Sequence, residues 1–410
     1  MKSFRKIAVL VGDGMGDDPV AELAGRTPLQ VASLPWMRRV AGLGHRRLIQ
    51  TVPDGLAPGS DVANMGLLGY DARANYTGRA AIEAAGAGLS LAPGDVAYRT
   101  NLVTAGADGT MVDYSAGDMP TADGRALVAS LAEAAVALNP AFHFHGGVSY
   151  RHLLIWQGGP TELVFNPPHE ISGRNTADYL PSGPRAEEFL ALMELSRKVF
   201  KDHPVNLARR AAGLREATQI WPWGAGAAMS LQPYAERYGR KGAIITAVDL
   251  VRGLANLCGL KTPRVEGATG WIDTDYAGKA AAAIETLKTD DFAYVHVEAP
   301  DECGHKGLPQ EKIRAMETID SVIVGPVWQA LEAAGEPYRL VMCTDHRTPV
   351  ARRGHTADPV PFAWVDGPVG LASLEEAPQA DFDESIPAEP TPEGHLPLAC
   401  ELMDSLLRKE

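Results

Sequence analysis

The 410-residue chain has no apolar run near the roughly 20 residues that cross a bilayer as a helix, so no membrane partner is expected. It is also short of cysteine. Cys258, Cys303, Cys343 and Cys400 show no CxxC spacing and no dense framework, which predicts free thiols in a reducing, cytoplasmic setting. Basic charge is in deficit: Lys and Arg number 38 against 51 Asp and Glu, a formal net charge of −13. That balance argues against a nucleic-acid partner, whose affinity needs basic patches, but leaves room for one cationic pocket. The start of the chain has no apolar h-region or cleavage site, so no signal peptide is expected. P-loop, Gly-rich kinase and G-x-S-x-G signatures are missing. So is any internal repeat.

What is present is a series of short apolar, β-branched runs. Lys6–Gly12, Gly242–Ala247, Phe292–Glu298 and Arg339–Thr344 read as strands buried on both faces. Helical patterns lie between them, at Gly278–Leu287 and Gln310–Leu331. Strand and helix in alternation predict an α/β fold with a mostly parallel sheet flanked by helices. Residues 96–185 read differently, with turn-rich alternating segments (Tyr98–Thr104, Arg151–Gln157), one helical stretch (Ala126–Leu138) and closing prolines at Pro181 and Pro184. They are expected to form a smaller α+β domain inserted into a core of residues 1–95 and 186–410. Residues 366–394, rich in Pro, Glu and Asp, are expected at the surface.

Acidic and histidine residues fall where these strands end. Asp13 follows the first strand; Asp301 and His305 follow the third; Asp345 and His346 follow the fourth, with His355 close behind. In open α/β sheets ligands bind at the carboxyl ends of the strands, so the three clusters should converge on one crevice. Taken singly, DGxG is often only a turn and D-x-x-x-H only a helix-surface pair. Together they form a mixed oxygen and nitrogen set suited to Mn²⁺, Zn²⁺ or a related ion. Six side chains exceed one centre's usual share, and two ions about 3.5–4 Å apart would account for them.

Pro58-Gly59-Ser60-Asp61 opens a helix, with Ser60 where an N-cap belongs. Capping is the simple explanation of that serine. The chemical one is a nucleophile, because a helix N-terminus favours phosphate and a bound metal eases loss of the hydroxyl proton.

Gly12-Asp13-Gly14, Pro58-Gly59-Ser60-Asp61, Asp301-x3-His305, Asp345-His346 and Gly354-His355 together resemble the alkaline phosphatase superfamily. The closest pattern is the archaeal type of 2,3-bisphosphoglycerate-independent phosphoglycerate mutase. Tyr76-Thr-Gly-Arg79, Asn166-Pro-Pro-His169 and Glu266-Gly-Ala-Thr-Gly270 extend the match over nearly the whole chain. The resemblance implies an alkaline phosphatase-like core and two divalent ions (Mn²⁺, Zn²⁺, Co²⁺ or Mg²⁺). Asp13, Ser60, Asp345 and His346 would hold one; Asp301, His305 and His355 the other. It implies that Ser60 is transiently phosphorylated and that a small phosphorylated substrate is gripped by arginines, for which Arg79 and Arg151 are the first candidates and His152, His169 and Arg174 the next. Association into a homo-oligomer is left open.

One stretch departs from the pattern. Where the archaeal mutases are expected to carry Asp-Arg-Arg-Ala-Gly-Arg, this chain has Asp113-Tyr114-Ser115-Ala116-Gly117-Asp118. Fewer arginines and an added Asp118 would suit an ammonium-bearing substrate, and the chain also resembles a sister group proposed to be homoserine kinases. On that alternative, ATP would be the phosphoryl donor. A plain phosphatase is a third reading. A binding protein with dead metal sites is disfavoured because every expected ligand is present.

Overall fold

In the computed structural model, residues 6–370, 374 and 376–408 are described. The first five residues, used above in reading the start of the chain, lie outside them, as do 371–373 and 375 within the stretch expected at the surface. The chain forms two compact units, Met1–Tyr76 with Ser230–Glu410, and Thr77–Met229.

The first unit is built on six strands: β1 (Lys6–Gly12), β2 (His45–Ile49), β8 (Gly242–Ile245), β9 (Phe292–Val297), β10 (Tyr338–Thr344) and β11 (Val360–Gly367). The strands between β2 and β8 in the chain, β3 (Val96–Ala105), β4 (Met111–Asp113), β5 (Phe142–Val148), β6 (Arg151–Trp156) and β7 (Gln219–Ala227), belong to the second unit. The order across the sheet is β2-β11-β10-β1-β9-β8. β10, β1, β9 and β8 run parallel, and β11 is antiparallel to both its neighbours. β1 lies at the centre with every residue buried, which is why its sequence is an unbroken apolar run rather than an alternating one. Each such Val, Leu or Ile contributes about 1.5–3 kcal/mol by burial. Helices Tyr276–Thr289, Pro309–Thr318 and Gly325–Ala334 pack on this sheet through Ala283, Met316, Val327 and Trp328.

Register places the chemistry. Gly12 pairs with Thr344 on one side and Val297 on the other. The residues that follow, Asp13, Asp345 and Glu298, therefore leave the sheet at one level on its carboxyl edge.

The helical pattern at Gln310–Leu331 is borne out over Pro309–Ala334, with a wider π-helical turn at Ile319–Val324 between Pro309–Thr318 and Gly325–Ala334. Pro326 has no N–H to continue an α-helical ladder. The 366–394 stretch is not simply superficial: Phe382, Asp383 and Ile386 are buried, and Glu384 accepts hydrogen bonds from Asp17 N and Thr27 Oγ1.

The second unit is an antiparallel sheet in the order β4-β3-β6-β5, with β7 also paired to β3. The unit starts before and ends after the expected 96–185 segment, for packing reasons. Phe189, Leu192, Met193 and Phe200 of the helix Ala186–Lys201 enter the same core as Tyr98, Trp156 and Trp221. Ala80 and Ala84 of the helix Arg79–Gly86 pack on Ala97, Leu153 and Ile155. The prolines at 181 and 184 mark a loop within the unit. Among the described residues no helix is long and apolar enough to cross a membrane. All four cysteines are free and buried.

Candidate metal centre

At the carboxyl edge of the first sheet, Ser60 opens the helix Ser60–Leu67. The structure corrects its expected role as cap: Gly59 is the N-cap residue, no side chain caps the helix, and Ser60 occupies the first helical position. Its Oγ lies 3.1 Å from His346 Nε2. The state of that imidazole follows from its other nitrogen. Thr348 Oγ1 donates to Asp301 Oδ1 at 2.5 Å and so accepts from His346 Nδ1–H at 3.2 Å. Nε2 is then the lone-pair nitrogen, aimed at the Ser60 hydroxyl and 3.4 Å from Asp13 Oδ1.

A second group forms beside it. Asp301 and His305 lie four residues apart on the helix Ala299–Lys306, one turn above each other. His305 Nδ1–H donates to Arg353 O at 3.0 Å, which turns Nε2 toward Asp301 and His355. That Nε2 stands 2.9 Å from His355 Nε2, and Asp301 oxygens lie 3.3 Å from each ring. Two ring nitrogens at that separation need a cation or a proton between them. Ligand atoms of Asp301, His346 and His355 fall within 4.8 Å of one another, as do those of Asp13, His296 and Asp345, and those of Asp13, Glu298 and Asp301. Imidazole and carboxylate donors gathered at this spacing fit divalent metal ions, and the groups can hold them.

The electrostatics agree. Burial, and then the charges of Asp345, Asp301 and Glu298, push the Asp13 carboxyl well above the ordinary carboxylate range. Burial alone would do the same to Asp301, but its hydrogen bonds with His305 and His355 hold it well below that range. Burial drives the imidazole of His346 down and that of His296 down to about 4, keeping both neutral and available as donors.

The surrounding residues hold this geometry. Gly14 has φ +61°, and a β-carbon there would lie 2.7 Å from Asp301 Oδ1 and 2.8 Å from Asp301 Cα. Only glycine lets β1's following turn pass this close to the Asp301 helix. Asp345 Oδ1 accepts from Gly14 N and His346 N, and Oδ2 from Asn64 Nδ2 at 2.8 Å. Asn64 is itself oriented by Tyr294 and by Ser60 O. Below, the buried Lys312 ammonium ties together Asp17, Gly16 O and Thr348 O.

The other candidate residues lie in the second unit. Glu83 is gripped from two sides, by Arg79 Nε at 2.9 Å and Arg99 Nε at 3.0 Å. Burial would raise the Glu83 carboxyl, but Arg99, Arg79 and Arg151 bring it down. Three guanidinium groups around one carboxylate leave an excess of positive charge. His169 packs edge-on against Tyr114 and Trp223, and Arg99 lies 4.1 Å over the Trp223 ring. Asp118 is exposed at φ +47° and acts electrostatically on Tyr150, whose ring Arg151 overlies. His152 is buried, accepts from Gly147 N, and is pushed down to about 4 by burial. Arg174 is exposed and donates to Tyr179 Oη.

Residues 41–206 match the family described as 2,3-bisphosphoglycerate-independent phosphoglycerate mutase. A probable 2,3-bisphosphoglycerate-independent phosphoglycerate mutase of Geobacter sulfurreducens is 46% identical over 382 residues, covering 92% of this chain and 94% of that protein. The corresponding mutase of Methanosarcina mazei is 43% identical over 408 residues, 98% of this chain and 100% of that one. This chain belongs to the 2,3-bisphosphoglycerate-independent phosphoglycerate mutase family. The solved structure of the PH0037 protein from Pyrococcus horikoshii matches with a TM-score of 0.75 at 27% identity, over 89% of this chain and 88% of that one. The cofactor-independent phosphoglycerate mutase of Thermoplasma acidophilum shares the fold, with a TM-score of 0.62 at 24% identity over 99% of both chains.

The mutase relatives give the homoserine kinase alternative no support. Its motive, lost positive charge at 113–118, also weakens in the structure. Asp113 accepts from Ser115 and Gly117 N–H groups and pairs with Arg215 at 2.5 Å, while Arg209 donates to Ala116 O and Gly117 O. Guanidinium groups thus reach this stretch from elsewhere in the same unit. Three residues near the mutase-family motifs escaped the sequence reading. Arg99 alternates with the buried Tyr98 and Thr100, a signal that could have found it. Glu298 closes an apolar run and was counted as its end. His296 lies inside that run and reads as core.

Proposed function

We propose that this chain interconverts 3-phosphoglycerate and 2-phosphoglycerate through a phosphoserine at Ser60, without 2,3-bisphosphoglycerate. The observation that carries the proposal is the Ser60 hydroxyl: released from helix capping, it faces His346 Nε2 at 3.1 Å within the carboxylate and imidazole cluster. Asp13, Ser60, Asp345 and His346 would hold one divalent ion, and Asp301, His305 and His355 a second. Mn²⁺, Zn²⁺, Co²⁺ and Mg²⁺ all suit such sets, with availability deciding. Bound there, the ions would supply positive charge that lowers the hydroxyl's pKa and neutralises the phosphoryl oxygens.

The chain's own residues do the rest. Ser60 Oγ forms a bond to phosphorus as the bond to the glycerate oxygen breaks, and the serine proton passes to that oxygen. In the second half the other glycerate hydroxyl takes the phosphoryl group, and the proton returns to Ser60. Nothing is consumed, so neither water nor ATP is needed. The free N–H groups at the start of Ser60–Leu67 favour the phosphoryl charge. Arg79, Arg99 and Arg151 are the groups suited to the substrate's carboxylate, by charge-assisted bonds. A reducing cytoplasmic setting goes with the reading.

Phosphorus NMR of the metal-loaded protein tests this. With 3-phosphoglycerate alone, 2-phosphoglycerate should appear without free phosphate. Free phosphate as the main product would make the chain a phosphatase. Silence with phosphoglycerate, and phosphohomoserine from ATP and L-homoserine, would overturn the proposal.

A further inference from the structure

His296 is a residue of β9, opposite Val11 of β1, and is fully buried. Neither of its ring nitrogens makes a hydrogen bond among the described residues. Yet Nε2 stands 3.1 Å from Asp13 Oδ2. The Asp13 carboxylate is thereby shared: Oδ1 faces His346 Nε2 at 3.4 Å and has no hydrogen bond, while Oδ2 faces His296. Ligand atoms of Asp13, His296 and Asp345 all lie within 4.8 Å of one another. A donor nitrogen and a carboxylate oxygen this close would normally satisfy each other. Here they meet off the hydrogen-bonding direction. Two ligands of one ion stand this way, since donors bound at about 2.1 Å lie about 3.0–3.4 Å apart around it.

We propose that His296 is itself a metal ligand, binding through Nε2 the ion that Asp13 and Asp345 hold. This rests on the metal-dependent reading above and adds a nitrogen donor to it. An added imidazole favours Zn²⁺, Co²⁺ and Mn²⁺ over Mg²⁺ at that position. The strand holds the ring in place, for the buried Lys279 ammonium donates to His296 O at 3.0 Å and pins the backbone.

The test is proton NMR of the full-length protein loaded with Co²⁺, recorded in water. Each cobalt-bound imidazole gives one strongly shifted, exchangeable ring N–H signal. His296, His305, His346 and His355 should give four such signals. His296→Asn should give three and bind Co²⁺ at least tenfold more weakly at one site. Its circular dichroism and its melting in chelator should match those of the parent. Three signals in the parent protein would overturn the proposal whatever the variant does, and would leave the other ligands standing. No shifted signals at all would instead remove the metal-dependent reading, and His296 with it.

Discussion

Ser60 and Gly14 show how narrow the tolerances of this site are. Ser60→Ala removes one oxygen from a helix whose cap is Gly59, so the fold has no reason to suffer. Turnover should fall by on the order of 10³-fold or more, about 4 kcal/mol of transition-state stabilisation, with the ion still retained by Asp13, Asp345 and His346 and detected by elemental analysis. Parent-like turnover in that variant would end the nucleophile assignment. Gly14→Ala should act differently. A β-carbon at φ +61° costs about 1–2 kcal/mol and also meets the Asp301 backbone at 2.8 Å. Lower stability in urea together with weaker metal binding, read by competition with a chelator, is expected. Asp13 and Asp345 were legible in the sequence because each directly follows an apolar run. His296 was not, because a histidine within a buried strand looks like any other core residue until its neighbours are known. The capping assignment of Ser60 failed for a related reason: a cap and a first helical residue differ by one position, which composition cannot resolve.

Among the elements, the parallel register of β10, β1 and β9 brings clusters more than 280 residues apart in sequence to one edge. That convergence was legible, since buried strands announce themselves and fold rules give them a common carboxyl end. The π-helical turn at Ile319–Val324 was not legible, because an apolar helical pattern does not distinguish it from α-helix. It places Asp320 where its carboxylate accepts from Trp36 N at 3.1 Å and Met37 N at 2.7 Å. Burial nevertheless raises that carboxyl to about 6. A carboxyl raised in the folded state binds its proton more tightly there than when unfolded. Its contribution is therefore complete below pH 4 and is lost as pH rises through 6. Relative to Asp320→Asn, the parent protein should gain about 2–3 kcal/mol in urea unfolding between pH 7 and pH 4. A pH-independent difference would show that the carboxyl titrates normally.

For the whole molecule, three buried carboxylates at one sheet edge make the first unit depend on cations. Removing metal with EDTA should lower the melting temperature by several degrees, and excess Mn²⁺ or Co²⁺ should restore it. Ligand at about 100 times its dissociation constant adds about 2.7 kcal/mol. Division of the chain into two units was legible in outline, as a change from buried runs to alternating segments. Its edges were not, because Ala186–Lys201 and β7 complete the second core without any shift in composition. The most direct single measurement is a rapid acid quench with 3-phosphoglycerate as the only phosphate source, followed by mass spectrometry of the peptide containing Ser60. A phosphoryl group on Ser60, absent in Ser60→Ala, is the expected result. Active turnover with no phosphoserine, or with the group on another residue, would contradict the assignment of this cluster as the reacting centre.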